Sequence, residues 1–230
     1  MNKQTKHPPK KNKLLCVACF LGPPSSGKGT AAKLISKEFG FPIITPGDIY
    51  KVLREEDSET GRLVKESLKD GGYCPDYLTN QIMLTESQRL AGEGARGVLM
   101  DGYPRSLVQL EFLRENWDVG LYLHTESPYK VLEKFVINRV ECPDCGRVQS
   151  LIKPEGLCAC QRISGWKQRW DDTALLFPKR YDTYQALTFP VIEKVCSLPE
   201  YTRYDFLMDE SAWPQMEERV KKLLENRGLK

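Results

Sequence analysis

The chain has 230 residues, 40% hydrophobic and 28% charged, the balance of a globular protein with one substantial core. No apolar stretch is long enough to span a bilayer. Setting aside the five lysines of residues 1–13 leaves 29 of the 34 basic residues against 31 acidic ones, so the body has no basic excess pointing to nucleic acid.

The tail, MNKQTKHPPKKNK (1–13), reads as a disordered, solvated leader. With LLCVACFLG behind it, it has the outline of a secretory signal. That reading is set aside because the apolar run ends in Gly22-Pro23-Pro24 and feeds a helix. Leu14–Leu21 has the short, continuous apolar pattern of a fully buried strand. A helix over 28–39 follows, stopped by Gly40, and FPIIT (41–45) predicts a second strand. Helices are predicted from Gly47-Asp48, over 59–70, and from Pro75 to about Leu90. GVLMDGY (97–103) and DVGLYLH (118–124) predict strands, and 128–139 a helix. From 142 to about 169, glycine, proline and cysteine break the rhythm and mark a small insert. Helical spacing returns over 172–195, YDFLMD (204–209) predicts a fifth strand, and 214–226 a last helix. Short apolar strands alternating with helices make a parallel sheet covered on both faces.

GPPSSGKGT (22–30) sits between the first strand and the first helix, the context in which a glycine-bearing turn cradles phosphate. Backbone N–H groups of the turn and the first helical residues converge on anionic oxygens, aided by the positive helix end. Gly27 and Gly29 permit close approach, Lys28 brings a charge to the β- and γ-phosphates, and Thr30 brings a hydroxyl. An ordinary strand-to-helix turn would need none of Gly22, Gly27, Lys28, Gly29 and Thr30 in this order. The loop resembles that of adenylate kinases and related nucleoside monophosphate kinases, whose version ends in Gly-Lys-Gly-Thr. Ser25 stands where that family has glycine, and a strained backbone there would be less comfortable.

The resemblance implies roles further along the chain. TPGDIYK (45–51) resembles the segment opening the monophosphate-binding helices, with Pro46 in place of threonine and Lys51 in place of arginine. Lys51 can neutralise a monophosphate without the bidentate fork of arginine, and Pro46 lacks a hydroxyl for the base. A simple helix start at Asp48 is the alternative. DGYPRS (101–106) resembles the family's Asp-Gly-Phe-Pro-Arg-Thr. By that likeness Asp101 holds the water shell of Mg²⁺, Gly102 and Arg105 meet the monophosphate, and Gln109 reads the base with a lean toward adenine. Arg139, Arg169 and Arg180 complete a set of guanidinium groups for the charge of phosphoryl transfer. Asp171 and Asp172 clamp the insert on closure by pairing with arginines; a solvated acidic pair opening a helix is the alternative. Phe135 stands where the family packs an arginine on the adenine of ATP, and would stack on that base.

Eight cysteines fall at 16, 19, 74, 142, 145, 158, 160 and 196. Four of them crowd into one segment, which favours a metal over disulfides and a reducing compartment. Cys142-Pro-Asp-Cys145 with Cys158-Ala-Cys160 resembles the zinc-bearing lid of many bacterial adenylate kinases. Four thiolates would complete a structural zinc site with no open position; metal-free thiols are the alternative. His7 and His124, the only histidines, are placed in the tail and in a strand, not as ligands.

The expectation is an α/β fold of the P-loop NTPase type, a five-stranded parallel sheet flanked by helices. It spans residues 14–230, with a helical monophosphate-binding insert at 45–76 and a cysteine-bearing lid at 140–172. The expected activity is reversible phosphoryl transfer from Mg·ATP to AMP giving two ADP, by a cytoplasmic monomer without nucleic-acid or membrane partners. GMP, CMP or UMP as acceptor remains open, as does a nucleotide-binding regulator with weakened catalysis. Nucleic-acid binding by the cysteine knuckle, through GWKQRW (165–170), is a third alternative.

Overall fold

The computed structural model of the chain describes residues 13–69, 73–145, 147–151, 160, 165–168, 172–205, 207, 209 and 211–229. The strands are β1 (Leu14–Leu21), β2 (Ile43–Ile44), β3 (Val98–Asp101), β4 (Trp117–Thr125), β5 (Arg139–Glu141), β6 (Val148–Ser150) and β7 (Tyr201–Tyr204). Five of them form one parallel sheet in the order β2-β3-β1-β4-β7, and β5 and β6 form a separate antiparallel pair. The helices are α1 (Lys28–Phe39), α2 (Pro46–Leu53), α3 (Glu59–Ser67), α4 (Asp76–Gly92), α5 (Leu107–Asn116), α6 (Tyr129–Ile137), α7 (Leu176–Thr183), α8 (Phe189–Val195) and α9 (Ala212–Arg227).

β1 is the central strand, and its side chains feed a core on each face of the sheet. Cys16, Cys19 and Leu21 join Met100, Tyr103 and Trp117 on one face; Val17, Ala18 and Phe20 join Ala31, Ile35 and Leu99 on the other. Neighbours Val17 and Ala18 share a face because the register against β3 slips between Cys16 and Ala18. Parallel strands align their C-terminal ends, so the ends of β1, β3 and β4 share one edge, where such sheets bind ligands.

Three elements differ from the sequence reading. Helix α5 was not foreseen, although Ser106-Leu107-Val108-Gln109 has the spacing of a capping box. Its Ser106 Oγ accepts from the Gln109 N–H at 3.1 Å. The last sheet strand lies at Tyr201–Tyr204 instead of 204–209. It is placed there by pairing with residues 122–125 and by a Tyr201 hydroxyl bonded to His124 Nδ1 at 2.7 Å, a polar contact invisible to an apolar pattern.

The helix expected over 172–195 is interrupted by a π-turn at Tyr184–Thr188. Pro190 lacks the N–H that would bond two turns together and its ring crowds the preceding turn, so a local widening accommodates it. The Phe189 N–H accordingly reaches back to the Tyr184 carbonyl. Residues 1–12 of the lysine tail lie outside the described residues, while the Lys13 ammonium donates to the Arg114 carbonyl.

Candidate active site

The phosphate-type loop leaves β1 and enters α1 at Gly27, whose φ of 87° no side chain adopts easily. No side chain caps α1, so its first N–H groups face outward with Lys28 and the exposed Thr30 beside them. The loop is fastened to the neighbouring strand. A Cβ on Gly22, at φ 142°, would stand 2.0 Å from the Thr125 carbonyl oxygen. The buried hydroxyls of Ser26 and Thr125 bond at 2.7 Å. Ser25 has φ 64°, the one non-glycine with positive φ among the described residues. Its Oγ is buried without a hydrogen-bond partner. The strain expected at this position is present.

Lys28 Nζ donates to the Pro23 carbonyl at 3.1 Å. Burial is the main reason its pKa is lowered to about 7; Arg105, Arg139 and Arg180 push the same way, and Asp101 opposes them. Lys28 thus shares a field with three guanidinium groups, and an anion arriving there would relieve it.

Asp101 ends β3 and faces α1. A Cβ on Gly29 would lie 3.0 Å from Asp101 Oδ2, so glycine is what lets helix and carboxylate approach. Asp101 Oδ1 is buried with no hydrogen-bond partner, and burial raises its pKa against the pull of Lys28 and Arg105. An orphaned carboxylate oxygen beside a phosphate cradle fits the water shell of a divalent cation.

Arg105 crosses Gly102. Its Nε donates to the Gly102 carbonyl at 2.7 Å, and a Cβ on Gly102 (φ 72°) would stand 2.8 Å from Arg105 Nη2. The π-turn brings Thr188 to the same residue, its hydroxyl donating to the Arg105 carbonyl at 3.2 Å. Gln109, 1% exposed, accepts from the Arg105 N–H at 2.7 Å and donates to Tyr73 and Asp76 at 2.9 and 2.8 Å. Lys51 is half exposed and paired with Asp48 at 2.9 Å, one residue beyond Gly47 on a helix that Pro46 opens.

Asp172 is fully buried and holds two of the expected arginines together. Arg139 grips it with two bonds of 2.6 Å, and Arg180 adds a third of 2.9 Å. Burial opposes its charge, but both guanidinium groups outweigh that and hold its pKa below the usual carboxylate range. Its partners come from β5 and α7, on either side of the cysteine-bearing segment. Phe135 is half-buried on α6, one turn before Arg139. Arg169 and Asp171 lie outside the described residues.

Cys142, Cys145 and Cys160 gather their sulfurs within 4.8 Å of one another, with separations of 3.4 and 3.6 Å to Cys160. Sulfurs at the corners of a zinc tetrahedron are about 3.8 Å apart for bonds of about 2.3 Å, so the group fits that ion. Cys158 lies outside the described residues. The β5–β6 hairpin supports the cluster, with the Cys142 N–H bonded to the Arg147 carbonyl at 2.8 Å.

The sequence profile of the family described as adenylate kinase matches residues 20–197. The chain belongs to the adenylate kinase family. It is 35% identical over 191 residues to the adenylate kinase of Thermotoga petrophila, covering 78% of this chain and 85% of that one. It is 36% identical over 186 residues to the adenylate kinase of Thermosipho africanus, covering 76% and 84%. The adenylate kinase of Orientia tsutsugamushi (strain Boryong) is 30% identical over 182 residues, covering 77% and 85%.

The sequence reading does not single out Thr125, Tyr73, Asp76 or Thr188. Each meets Ser26, Gln109 or Arg105 from a distant point in the chain, and no spacing pattern marks such a contact.

Proposed function

We propose that the chain is an adenylate kinase that moves the terminal phosphoryl group of Mg·ATP to AMP, giving two ADP. The observation carrying this reading is the shared field of Lys28, Arg105, Arg139 and Arg180 around the uncapped start of α1, with the orphaned Asp101 oxygen beside it.

The α1 N–H groups and Lys28 cradle the β- and γ-phosphates of ATP. Arg105, with Lys51 in support, holds the phosphate of AMP, and Gly102 leaves room for that guanidinium. One AMP oxygen attacks in line, the bond from phosphorus to the β–γ bridging oxygen breaks, and ADP leaves. The attacking oxygen is already anionic, so no base is required. Arg139 and Arg180, with Arg169 as a third, meet the charge spread over the transferring group. The Asp172 carboxylate holds the Arg139 and Arg180 guanidinium groups together on one side of the site. Phe135 supplies a face for the ATP base, and Pro46 and Gln109 border the AMP base.

Asp101 would hold Mg²⁺ through its water shell, and the ion would neutralise phosphate charge when bound. Cys142, Cys145 and Cys160, with Cys158, would hold zinc in a structural role. Residues 45–76 and 140–172 act as the monophosphate-binding insert and the lid over a core of 14–230. Their closure excludes water from the reaction, with Asp171 and Asp172 at the lid's base. The reading is of a cytoplasmic monomer acting on two nucleotides, with no role for nucleic acid or membrane. Among the described residues no helix is long and apolar enough to cross one.

A coupled assay of ADP formation from ATP with AMP, GMP, CMP or UMP tests this function. Turnover led by AMP is expected. A clear preference for another acceptor, or tight nucleotide binding without turnover, would overturn it.

A further inference from the structure

The amide of Gln109 can face only one way. Its neighbour on one side is the Arg105 backbone N–H, which can only donate, so the oxygen lies there at 2.7 Å. On the other side Asp76 Oδ1 can only accept while ionised, so the NH₂ group lies there at 2.8 Å. The second NH₂ hydrogen goes to the Tyr73 hydroxyl at 2.9 Å. Asp76 is itself held by the Ser106 hydroxyl, at 2.8 Å to its other oxygen. Both amide hydrogens are therefore spent within the protein, and the one capacity left on Gln109 is a lone pair on Oε1.

Tyr73 is the complement. Its oxygen accepts from Gln109, which leaves its own O–H to donate elsewhere. Burial raises its pKa to about 12, so the proton stays on across the neutral range. Gln109 and Tyr73 together offer an acceptor beside a donor. Adenine and cytosine present the matching edge, an exocyclic amino donor next to a ring nitrogen acceptor. Guanine and uracil present the reverse, a carbonyl next to a ring N–H.

We infer that Tyr73 is a specificity-determining residue of the acceptor site, its hydroxyl donating to the ring nitrogen of an amino-bearing base while Gln109 Oε1 accepts from the amino group. This rests on the proposed reading of Gln109 as bordering the monophosphate base, and it assigns to Tyr73 the donor that the Gln109 amide has already committed to Asp76 and Tyr73.

The test compares AMP with 1-deaza-AMP, in which a C–H replaces the ring nitrogen, in the wild-type chain and in Tyr73→Phe. The wild type should favour AMP in kcat/KM by about tenfold, the scale of one hydrogen bond with a partner left unpaired. Tyr73→Phe should raise the KM for AMP and bring the AMP to 1-deaza-AMP ratio to about one. A merely structural role for Tyr73 would lower both substrates together and leave the ratio unchanged, which would overturn the assignment. A wild type that used the two analogues equally would overturn it without any variant. A wild type that phosphorylated no AMP would instead overturn the proposed function.

Discussion

Gly29 brings the first helix close against Asp101 at the end of β3: a Cβ at Gly29 would stand 3.0 Å from Asp101 Oδ2. The carboxylate is buried and one of its oxygens has no partner, so it has little freedom to retreat without losing its aim at the phosphate cradle. Gly29→Ala places a better helix former near the start of α1, worth up to about 1 kcal/mol in a helix interior. The expected outcome is a melting temperature that holds or rises while kcat falls by about tenfold or more. Unchanged kcat in the variant would show that Asp101 tolerates the displacement.

Ser25 carries strain that glycine would relieve. A residue with a side chain held at left-handed φ costs about 1–2 kcal/mol, and its buried hydroxyl lacks a hydrogen bond. Glycine gives back about 1 kcal/mol through unfolded-chain entropy. Ser25→Gly is expected to stabilise the chain by about 1 kcal/mol, a rise in Tm of about 2–4 °C at this size. Calorimetry of the two proteins decides it, and a lower Tm in the variant would contradict the strain.

Lys28 has a pKa lowered to about 7, so above neutrality the free protein carries it mostly uncharged. Phosphates arriving at the loop favour the charged form and raise that pKa. Binding of an ATP analogue at pH 8 should therefore take up about one proton, and affinity should fall as pH rises from 7. Titration calorimetry in two buffers of different ionisation enthalpy measures the uptake. Lys28→Met should abolish it.

Asp172 binds two guanidinium groups whose side chains are 18% and 29% exposed. Asp172→Asn keeps the shape but removes the negative charge that both guanidinium groups share. A loss of about 2–3 kcal/mol is expected, below the full value for a buried pair because water reaches the arginines. The folded pKa is lowered, so this contribution is present above the unfolded value near 4 and is lost as pH falls through the folded one. Denaturant melts should show a shallower acid dependence in the variant below about pH 4.

The thiol cluster predicts about one zinc per chain purified without chelator. Cys160→Ser should release the metal and lower Tm, with the loss centred on the β5–β6 hairpin beside the thiols. Metal analysis that found well under one ion in the wild type would remove zinc from the site.

The sequence by itself determined the parallel α/β frame and the phosphate loop. Both rest on local signals: apolar runs of strand length, glycine at a strand-to-helix turn, and lysine beside it. It also marked the arginines and the cysteine cluster, because their spacing along the chain carries the pattern. Only the tertiary structure decided what those residues touch. Strand β7 is placed by its pairing with β4 and by the Tyr201–His124 contact, and Asp172 ties Arg139 to Arg180. The Gln109 amide is oriented by Asp76 and by Tyr73, 36 residues away in the chain. Hydrogen-bond partners distant in sequence leave no periodicity, so the loop could be read from its letters while the orientation of the Gln109 amide could not.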